Sequence, residues 1–376
     1  MVNFIVCEFN PFHNGHAYLL EQVHENPNIC IMSSHVTQRG DIAFTDKWSR
    51  AEMALKGGAD LVLELSAPFA MGNAEVFAKG AAAIARATGL KGRFCFGTEG
   101  DVIEKLQTLA KVDNALLSPT VKSLQKQGCS YAVALTAAYE QILPVAKEVL
   151  STPNNVLALE YMRAAKDFEF YGVCRKGAAH DDVKTSGVFC SASALRAKPK
   201  MYQDFTPSAL HPIFEKIFEE NMVPDADKKD LLWLHTLRSL SAELWDTVAP
   251  GGVGHRFYKE VRSAATLDDL LSRVKTKCCT HASLRRLAMK AFLGIPPTDA
   301  PQYIRVLGAN KVGRELLSKM NPTLPLLIKP AAVKELSSTA KALMEYESRL
   351  TDHFMFMLPT PGCKGKEFLT SPIIIE

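Results

Sequence analysis

The chain of 376 residues lacks any apolar run that approaches the roughly 20 residues of a membrane-spanning helix. It also lacks the basic and then apolar N-terminal pattern of a secretory signal. Its nine cysteines form no CxxC pair and no disulfide framework, and only Cys278 and Cys279 are adjacent. These absences exclude a membrane protein and a disulfide-stapled scaffold, and we expect a cytoplasmic protein with reduced thiols and no membrane contact.

Repeats and low-complexity tracts are absent as well. The composition is that of an ordinary globular protein, with 47% hydrophobic and 22% charged residues. A single hydrophobic core usually stops growing at roughly 250 to 300 residues, so this length predicts two domains. The net charge of +4 permits a polyanionic partner without requiring one.

Short apolar runs alternate with helical patterns in the first half of the chain, as in a parallel sheet with helices on both faces. The runs that we assign to strands are Phe4 to Cys7, Ile29 to Met32, Leu61 to Leu65, Phe94 to Phe96 and Tyr171 to Cys174. We therefore predict an α/β fold with a Rossmann-like, doubly wound parallel sheet in residues 1–204.

Long amphipathic segments dominate after residue 205 and predict an all-helical domain over residues 205–376. The predicted helices are Lys228 to Leu244, Thr266 to Lys275, His281 to Phe292, Pro301 to Asn310 and Val333 to Met355. Basic residues are dense in this half, and they form either a surface for a nucleic-acid backbone or a solvated face. They are Arg256, Lys259, Arg262, Arg273, Lys275, Lys277, Arg285, Arg286 and Lys290.

The stretch FNPFHNGH, from Phe9 to His16, follows the first predicted strand. Asn10-Pro11 predicts a turn, because proline disfavours a helical conformation for the residue before it. A helix then starts near Asn14. Free backbone N–H groups and the positive end of the helix dipole make such a helix start suitable for an anion, and phosphate is the obvious candidate.

His13 and His16 are three positions apart, so on a helix they share one face and can reach the same ligand. Gly15 between them allows a ligand to approach the backbone closely. Imidazoles that donate hydrogen bonds to a phosphate stabilise the charge that builds up as it is attacked. A surface turn and a zinc-binding pair remain open as alternatives.

A second signal is SASALR, from Ser191 to Arg196. Its serines can cap a helix, and Arg196 can grip a phosphate through two hydrogen bonds. A plain helix cap with a surface arginine is the alternative.

HNGH followed much later by SASALR resembles the paired signatures of the HIGH-motif nucleotidyltransferase superfamily. Longer stretches narrow the resemblance, because EFNPFHNGH, MSSHVTQRGDIAFTDKWSRAEMALKGGADLVLEL, FGTEGD, TPNNVLALEYMRA and CRKGAAHDD appear in this order before SASALR. Together with LLWLHTLRSLSAEL and YIRVLGANKVGRELL in the second half, they resemble the bacterial tRNA(Met) cytidine acetate ligase family. The chain departs from it at Cys278 and Cys279, where the family has an arginine and an aromatic residue.

The resemblance implies a site for ATP, with Mg²⁺ on its phosphates and His13, His16 and Arg196 as catalytic residues. The first part of the implied site consists of Val6, Cys7, Glu8, Phe9, Asn10, Pro11, Phe12, His13, Asn14, Gly15, His16, Ala17, Tyr18 and Leu19. The remainder consists of Gly97, Asn154 or Asn155, Arg175, Ser191 and Ser193.

The implied reaction has two steps. Acetate attacks the α-phosphate of ATP to give acetyl-adenylate, and the N4 amine of the wobble cytidine of elongator tRNA(Met) then takes the acetyl group. Lys275, Lys277, Arg285 and Arg286 are the implied contacts for tRNA. A nucleotidyltransferase for a phosphorylated cofactor precursor and a non-catalytic nucleotide-binding, RNA-interacting protein are the alternatives.

Two further charged groups have more than one interpretation. Arg39 and Lys47 could neutralise phosphates or receive the acetate carboxylate, or they could belong to a salt-bridged loop and a helix start capped by Asp46. His180, Asp181 and Asp182 could place a carboxylate near Mg²⁺ or form a solvated turn.

Overall fold

A computed structural model describes residues 1–129, 131–175, 187–362 and 365–376. Among these residues, eight strands form one sheet. The strands are β1 Val2–Cys7, β2 Asn28–Ser33, β3 Leu61–Leu65, β4 Gly92–Thr98, β5 Glu169–Cys174, β6 Ile304–Ala309, β7 Leu326–Leu327 and β8 Ile373–Ile374.

Helices connect and cover these strands. In the first half they are α1 Asn14–Gln22, α2 Lys47–Lys56, α3 Ala67–Ala70, α4 Ala74–Ala87, α5 Ile103–Ala110, α6 Asn114–Lys126, α7 Tyr131–Ile142, α8 Ala146–Val149, α9 Pro153–Ala164 and α10 Ala192–Ala197. They continue as α11 Tyr202–Phe205, α12 His211–Glu219, α13 Ala226–Arg238, α14 Ala242–Val248, α15 Val253–Glu260, α16 Leu267–Val274, α17 His281–Leu293, α18 Lys311–Lys319, α19 Ser338–Phe356 and α20 Lys366–Leu369. Short 3₁₀ helices span Pro199–Met201, Ser208–Leu210 and Pro330–Glu335.

The strand order is β5-β4-β1-β2-β3-β6-β7, with β8 paired to β6. Strands β1 to β5 pair with one another in parallel, with Phe4 opposite Ile29 on one side and Phe94 on the other. All of β2 and β3 is buried, which explains why these strands appear in the sequence as continuous apolar runs. The predicted α/β fold with a Rossmann-like sheet is confirmed, and so are its five predicted strands.

The C-terminal half is largely helical, but the helix predicted for Pro301 to Asn310 is wrong. Residues Ile304–Ala309 form β6, which pairs antiparallel with β3. Arg305 made this segment look amphipathic, although its side chain is buried in ion pairs. Because β6, β7 and β8 join the sheet, the half beyond residue 204 is not all-helical. The division into 1–204 and 205–376 stays a prediction.

One other predicted helix is interrupted. The helix expected over Lys228 to Leu244 ends at Arg238, and Ser241 caps a new helix by accepting a hydrogen bond from Leu244 N at 3.3 Å. A serine at this position offers the backbone an acceptor that the first turn lacks, which favours a new start. None of the described helices is long and apolar enough to cross a bilayer.

A cluster of buried charged side chains joins the C-terminal segments to the sheet. Lys47 Nζ on α2 lies 2.5 Å from Glu64 Oε1 on β3 and 2.8 Å from Glu367 Oε1 on α20. Arg305 on β6 contacts the same two carboxylates, at 3.4 and 3.2 Å. Burial alone would lower the pKa of Lys47, but Glu367 and Glu64 outweigh it and raise that pKa. The ion pairs therefore keep Lys47 charged inside the protein.

Glu347 on α19 is the third carboxyl of this cluster and differs from the other two. Its Oε1 accepts a hydrogen bond from Ala67 N at 2.5 Å. Burial, together with the negative charge of Glu64, raises its pKa to about 8. Glu347 is therefore mostly protonated at neutral pH, so two cations face two carboxylates.

We predict that Glu347→Gln makes the stability of the protein less sensitive to a rise in pH. A carboxyl whose pKa is raised on folding favours the folded state at low pH and loses that contribution as pH rises toward the folded pKa. Between pH 5 and 7.5, the stability of the variant relative to wild type should increase by about 1.4 kcal/mol per pH unit. Urea unfolding at several pH values measures this difference.

Glu367→Gln is the matched control for this experiment, because it removes a carboxylate that pairs with Lys47 and Arg305. It should cost about 3 to 5 kcal/mol of stability, since one partner of a buried ion pair is lost. A Glu347→Gln difference that did not vary with pH would show that this carboxyl is ionised in the folded protein.

Candidate active site

A cavity of about 580 Å³ lies at the carboxyl ends of β1 and β4. The chain leaves β1 toward β2 on one side, whereas β4 pairs with β1 on the other side. The strand connections therefore diverge between β1 and β4. In open α/β sheets, ligands bind in the crevice at such a point.

Most of the residues implied for nucleotide binding line this cavity. They are Val6, Cys7, Glu8, Phe9, Asn10, His13, Gly15, His16, Tyr18, Leu19, Gly97, Asn154, Arg175, Ser191, Ser193 and Arg196. The implied residues outside the lining are Pro11, Phe12, Asn14, Ala17 and Asn155.

His13 and His16 stand together at the start of α1. His13 is the N-cap residue, and its Nδ1 accepts a hydrogen bond from Gly15 N at 3.0 Å. His16 Nδ1 accepts one from His13 N at 3.3 Å, and the two rings stack with centroids 3.7 Å apart. Because each Nδ1 is an acceptor, the proton of each neutral ring is on Nε2. Both histidines are thus oriented as hydrogen-bond donors.

Two phenylalanines hold the ring of His16. Phe9 has a φ of +45°, which is rare for a bulky residue, and it turns the chain from β1 toward Asn10. The centroids of Phe9 and Phe12 lie 5.0 and 5.5 Å from that of His16. Phe12 is completely buried, and a Cβ at Gly57 would come within 2.4 Å of it. Phe12 therefore supports the ring of His16 from the protein interior and does not line the cavity.

Arg196 joins α10 to the turn before α1. Its Nη1 donates to Asn10 O at 2.5 Å and its Nη2 donates to Ser193 Oγ at 3.0 Å. Ser191 caps α10, because its Oγ accepts from Ala194 N at 3.1 Å. The two sequence signals thus meet in one cavity wall, through a contact between residues 186 positions apart in the chain.

The end of β4 forms the opposite part of the lining. Gly97 has no side chain, and a Cβ there would lie 3.1 Å from Arg175 Cγ. Arg175 Nε lies 3.5 Å from Glu99 Oε1, which also accepts a hydrogen bond from Asn154 Nδ2 at 2.8 Å. Glu99 therefore fixes the positions of both Arg175 and Asn154.

Asn155 has a structural role, which separates it from Asn154. It is 2% exposed, and its Oδ1 accepts from Glu99 N at 2.9 Å. Its Nδ2 donates to Val149 O at 2.9 Å. Asn155 thus ties the start of α9 to the loop after β4, and Asn154 is the asparagine at the cavity.

Two functional residues were not recognised from the sequence. Glu8 belongs to the implied ATP site without a separate role, yet its carboxyl lines the cavity and its Oε1 accepts from Gln38 N at 2.6 Å. Arg50 is completely buried and donates from Nη1 to Glu8 O at 2.7 Å and to Ser33 O at 3.1 Å. Polar and apolar residues alternate along α2, so the sequence did not indicate that the side chain of Arg50 is buried.

Lys47 lies in the buried cluster described above, so it does not reach the cavity. Of the two interpretations of Lys47, the structure shows the salt-bridged residue at a helix start. Asp46 caps that helix, α2, by accepting hydrogen bonds from Trp48 N and Ser49 N at 2.9 and 3.0 Å. Arg39 lines the cavity. His180, Asp181 and Asp182 lie outside the described residues.

The C-terminal half also contributes to the cavity wall. Lys229 and Arg285 line it, and they pair with Asp41 at 3.2 Å and with Asp268 at 2.7 Å. Arg286 Nη1 donates to Gln38 O at 3.3 Å. Lys275 and Lys277 are exposed outside the lining.

Within the described ranges, no group of three or more His, Cys, Asp or Glu side chains could hold a metal ion. The carboxylates in the described lining are Glu8 and Asp41. Each already accepts a hydrogen bond, from Gln38 N and Ile42 N respectively. A zinc pair at His13 and His16 therefore finds no third protein ligand in the described ranges.

We predict that Asn155→Ala lowers the free energy of unfolding by about 2 to 3 kcal/mol, because Glu99 N and Val149 O lose their buried partner. Asn154→Ala should change stability by less than about 1 kcal/mol, since Asn154 is partly exposed at the cavity. Chemical unfolding of the two variants beside wild type makes the comparison. Equal losses would contradict the different roles of the two asparagines.

Comparison with known proteins identifies the family. The HIGH Nucleotidyl Transferase family model matches residues 2–367. A tRNA(Met) cytidine acetate ligase of Thermoanaerobacter pseudethanolicus is 30% identical, with 97% of each chain covered. One from Fervidobacterium nodosum is 32% identical over 90% of this chain and 86% of the relative.

A solved structure supports the same relationship. The crystal structure of Thermotoga maritima TmcAL bound with alpha-thio ATP is 27% identical and superposes with a TM-score of 0.90. The match covers 100% of this chain and 99% of the other. By sequence and by fold, the chain therefore belongs to the HIGH nucleotidyl transferase family and, within it, to the tRNA(Met) cytidine acetate ligases.

Proposed function

We propose that this protein activates acetate with ATP and transfers the acetyl group to N4 of the wobble cytidine of elongator tRNA(Met). The relatives named above are tRNA(Met) cytidine acetate ligases, and their likeness extends over nearly the whole chain. The Thermotoga maritima structure contains an ATP analogue. We also propose that the protein acts in the cytoplasm, because ATP, tRNA and acetate are present there.

The observation that carries the proposal is the pair of stacked imidazoles, His13 and His16, at the start of α1. Attack of acetate on the α-phosphate builds up negative charge on phosphate oxygens, and pyrophosphate leaves. The Nε2–H groups of both rings, with Arg196 in the adjoining wall, are donors suited to that charge. Their preorganisation by backbone hydrogen bonds and by Phe9 and Phe12 reduces the reorganisation that catalysis would need.

The remaining lining residues have roles that fit binding and orientation. Gly97 leaves room for the nucleotide to lie against the end of β4, and Asn154 and Arg175 offer hydrogen-bond donors beside it. Arg39 lines the cavity and takes the acetate carboxylate. Lys47 does not fill this role, because it is buried in its ion pairs with Glu64 and Glu367. Holding acetate close to the α-phosphate converts a bimolecular attack into an effectively unimolecular one.

Mg²⁺ is part of the proposal as a companion of ATP. A magnesium ion in nucleotide sites is commonly held by substrate phosphates and water, with few protein ligands. That fits a lining whose two described carboxylates are already hydrogen-bonded. When bound, the ion would share the phosphate charge, and we assign no protein ligand to it.

We propose that residues 205–376 bind tRNA. Arg285 on α17 lines the same cavity as His13 and His16, so a basic residue of this half reaches the site. Lys275 and Lys277 precede α17 and are exposed. Basic residues at these positions would attract the phosphates of the anticodon stem and loop toward the acetyl-adenylate.

The function is tested by incubating the protein with labelled acetate, ATP, Mg²⁺ and tRNA(Met), followed by mass spectrometry of the tRNA. We expect an added acetyl group on one cytidine and acetate-dependent exchange of pyrophosphate into ATP. Exchange that required a phosphorylated acceptor in place of acetate would identify a small-molecule nucleotidyltransferase. No release of pyrophosphate would identify a non-catalytic binding protein.

In the same assay, we predict that His16→Ala lowers acetate-dependent exchange by a factor on the order of 10² to 10³, because one donor to the α-phosphate is lost. His24→Ala is the matched control, since this histidine is exposed and hydrogen-bonds to Glu21 O near the end of α1. Unchanged exchange in His16→Ala would remove this imidazole from the mechanism.

For the tRNA surface, we predict that Lys275→Glu with Lys277→Glu weakens tRNA binding about tenfold or more at low salt and spares acetate-dependent exchange. Arg286 is less suitable for this test because it also holds Gln38 O. Lys311→Glu with Lys319→Glu on α18 makes the same charge change near the amino ends of the parallel strands, beside Asp60. Equal losses in the two double variants would disprove a tRNA site at Lys275 and Lys277.

A further inference from the structure

Acetyl transfer needs a group that accepts a proton. When the N4 amine of cytidine attacks the acetyl carbon, its nitrogen becomes more acidic and has to lose a proton to give the neutral amide. A positioned base commonly accelerates such a step by about 10² to 10⁴. The residues assigned above to ATP, His13, His16 and Arg196, all act as donors.

The histidines cannot serve as this base in their observed hydrogen-bonding state. His13 Nδ1 and His16 Nδ1 accept backbone N–H groups, so the Nε2 of each neutral ring already carries a proton. Tyr161 also lines the cavity, but burial raises the pKa of its phenol and keeps it neutral. Burial likewise raises the pKa of the Cys7 thiol well above its usual range.

The two carboxylates of the described lining differ in their surroundings. Asp41 Oδ1 lies 3.2 Å from Lys229 Nζ and accepts a hydrogen bond from Ile42 N at 2.9 Å. The negative charge of Asp41 is therefore already paired with a lysine. Glu8 also accepts through one oxygen, Oε1 from Gln38 N at 2.6 Å, but no lysine or arginine of the described residues lies within ion-pair distance of it. Among the described residues, none makes a hydrogen bond to Glu8 Oε2.

The position of Glu8 suits a base. It follows the last residue of β1 and lines the cavity together with His16 and Arg196. Burial raises the pKa of Glu8, against the opposing effects of the Gln38 N–H and of Arg50, Arg196 and Arg39. A carboxylate whose pKa is shifted toward neutrality is a stronger base than an ordinary glutamate.

We propose that Glu8 is the general base of the acetyl-transfer step, an inference that rests on the proposed function. The N4 lone pair forms the C–N bond, and the bond between the acetyl carbon and the phosphate oxygen breaks with its electron pair on AMP. The N4 proton passes to Glu8 Oε2 and then to water. Formation of acetyl-adenylate from ionised acetate moves no proton, so that step needs no base.

The test is Glu8→Gln. The amide oxygen can still accept from Gln38 N, so the loop contact is kept while the basic oxygen is lost. Three reactions are followed for the variant and wild type: acetate-dependent exchange of pyrophosphate, trapping of acetyl-adenylate by hydroxylamine, and acetylation of tRNA(Met) in a single turnover. Hydroxylamine is nucleophilic enough to react without a protein base.

We expect tRNA acetylation to fall on the order of 10² to 10⁴ further than pyrophosphate exchange and acetohydroxamate formation fall in the same variant. A parallel loss of all three reactions would overturn the proposal, because Glu8 would then act in adenylation or in folding. Undiminished tRNA acetylation would overturn it as well. If wild-type protein catalysed none of the three, the proposed function would fail and the role of Glu8 with it.

Discussion

The Arg50 guanidinium fixes the carboxyl ends of two neighbouring strands to each other. It is completely buried and donates to backbone oxygens of Glu8, Ser33 and Thr45, as well as to Ser34 O. Burial lowers its pKa to about 10, which still leaves it charged at neutral pH. A planar fork of donors can reach several carbonyls at once, whereas a lysine ammonium could not reproduce this arrangement. The cavity at the carboxyl end of β1 therefore depends on one buried side chain, Arg50, that does not line it.

Helix α2 connects this site to the C-terminal half. Arg50 and Lys47 are three residues apart, and both are buried. Arg50 holds the strand ends next to Glu8, while Lys47 pairs with Glu64 of β3 and Glu367 of α20. Because both cations lie on one short helix, a displacement of α20 would be transmitted to the backbone of Glu8 through a rigid element. Helix α2 therefore holds both the end of β1 at the cavity and the C-terminal helix α20.

Much of this organisation was predictable from local patterns. Buried parallel strands appear as apolar runs, and HNGH and SASALR are compact signals whose chemistry can be inferred from residue type and spacing. Pairings over long distances were not predictable in this way. Arg305 looked like the polar face of a helix because Glu64 and Glu367, its partners, are far away in sequence. The same reason hid the burial of Lys47 and Arg50. Asn154 and Asn155 are adjacent and have the same side chain. Only the contacts that each side chain makes in the structure show which one lies at the cavity and which one has a structural role.

The sheet also has a consequence for the synthesis of the protein. Strand β6 occupies the place next to β3, and Glu367 supplies a counter-charge for Lys47. A nascent chain that has emerged only as far as α10 would contain both nucleotide motifs, but β3 would be an open edge and Lys47 would lack one of its two carboxylates. Open edges invite pairing with other chains. Until β6 and the segments after it have been synthesised, the N-terminal sheet therefore keeps an open edge at β3.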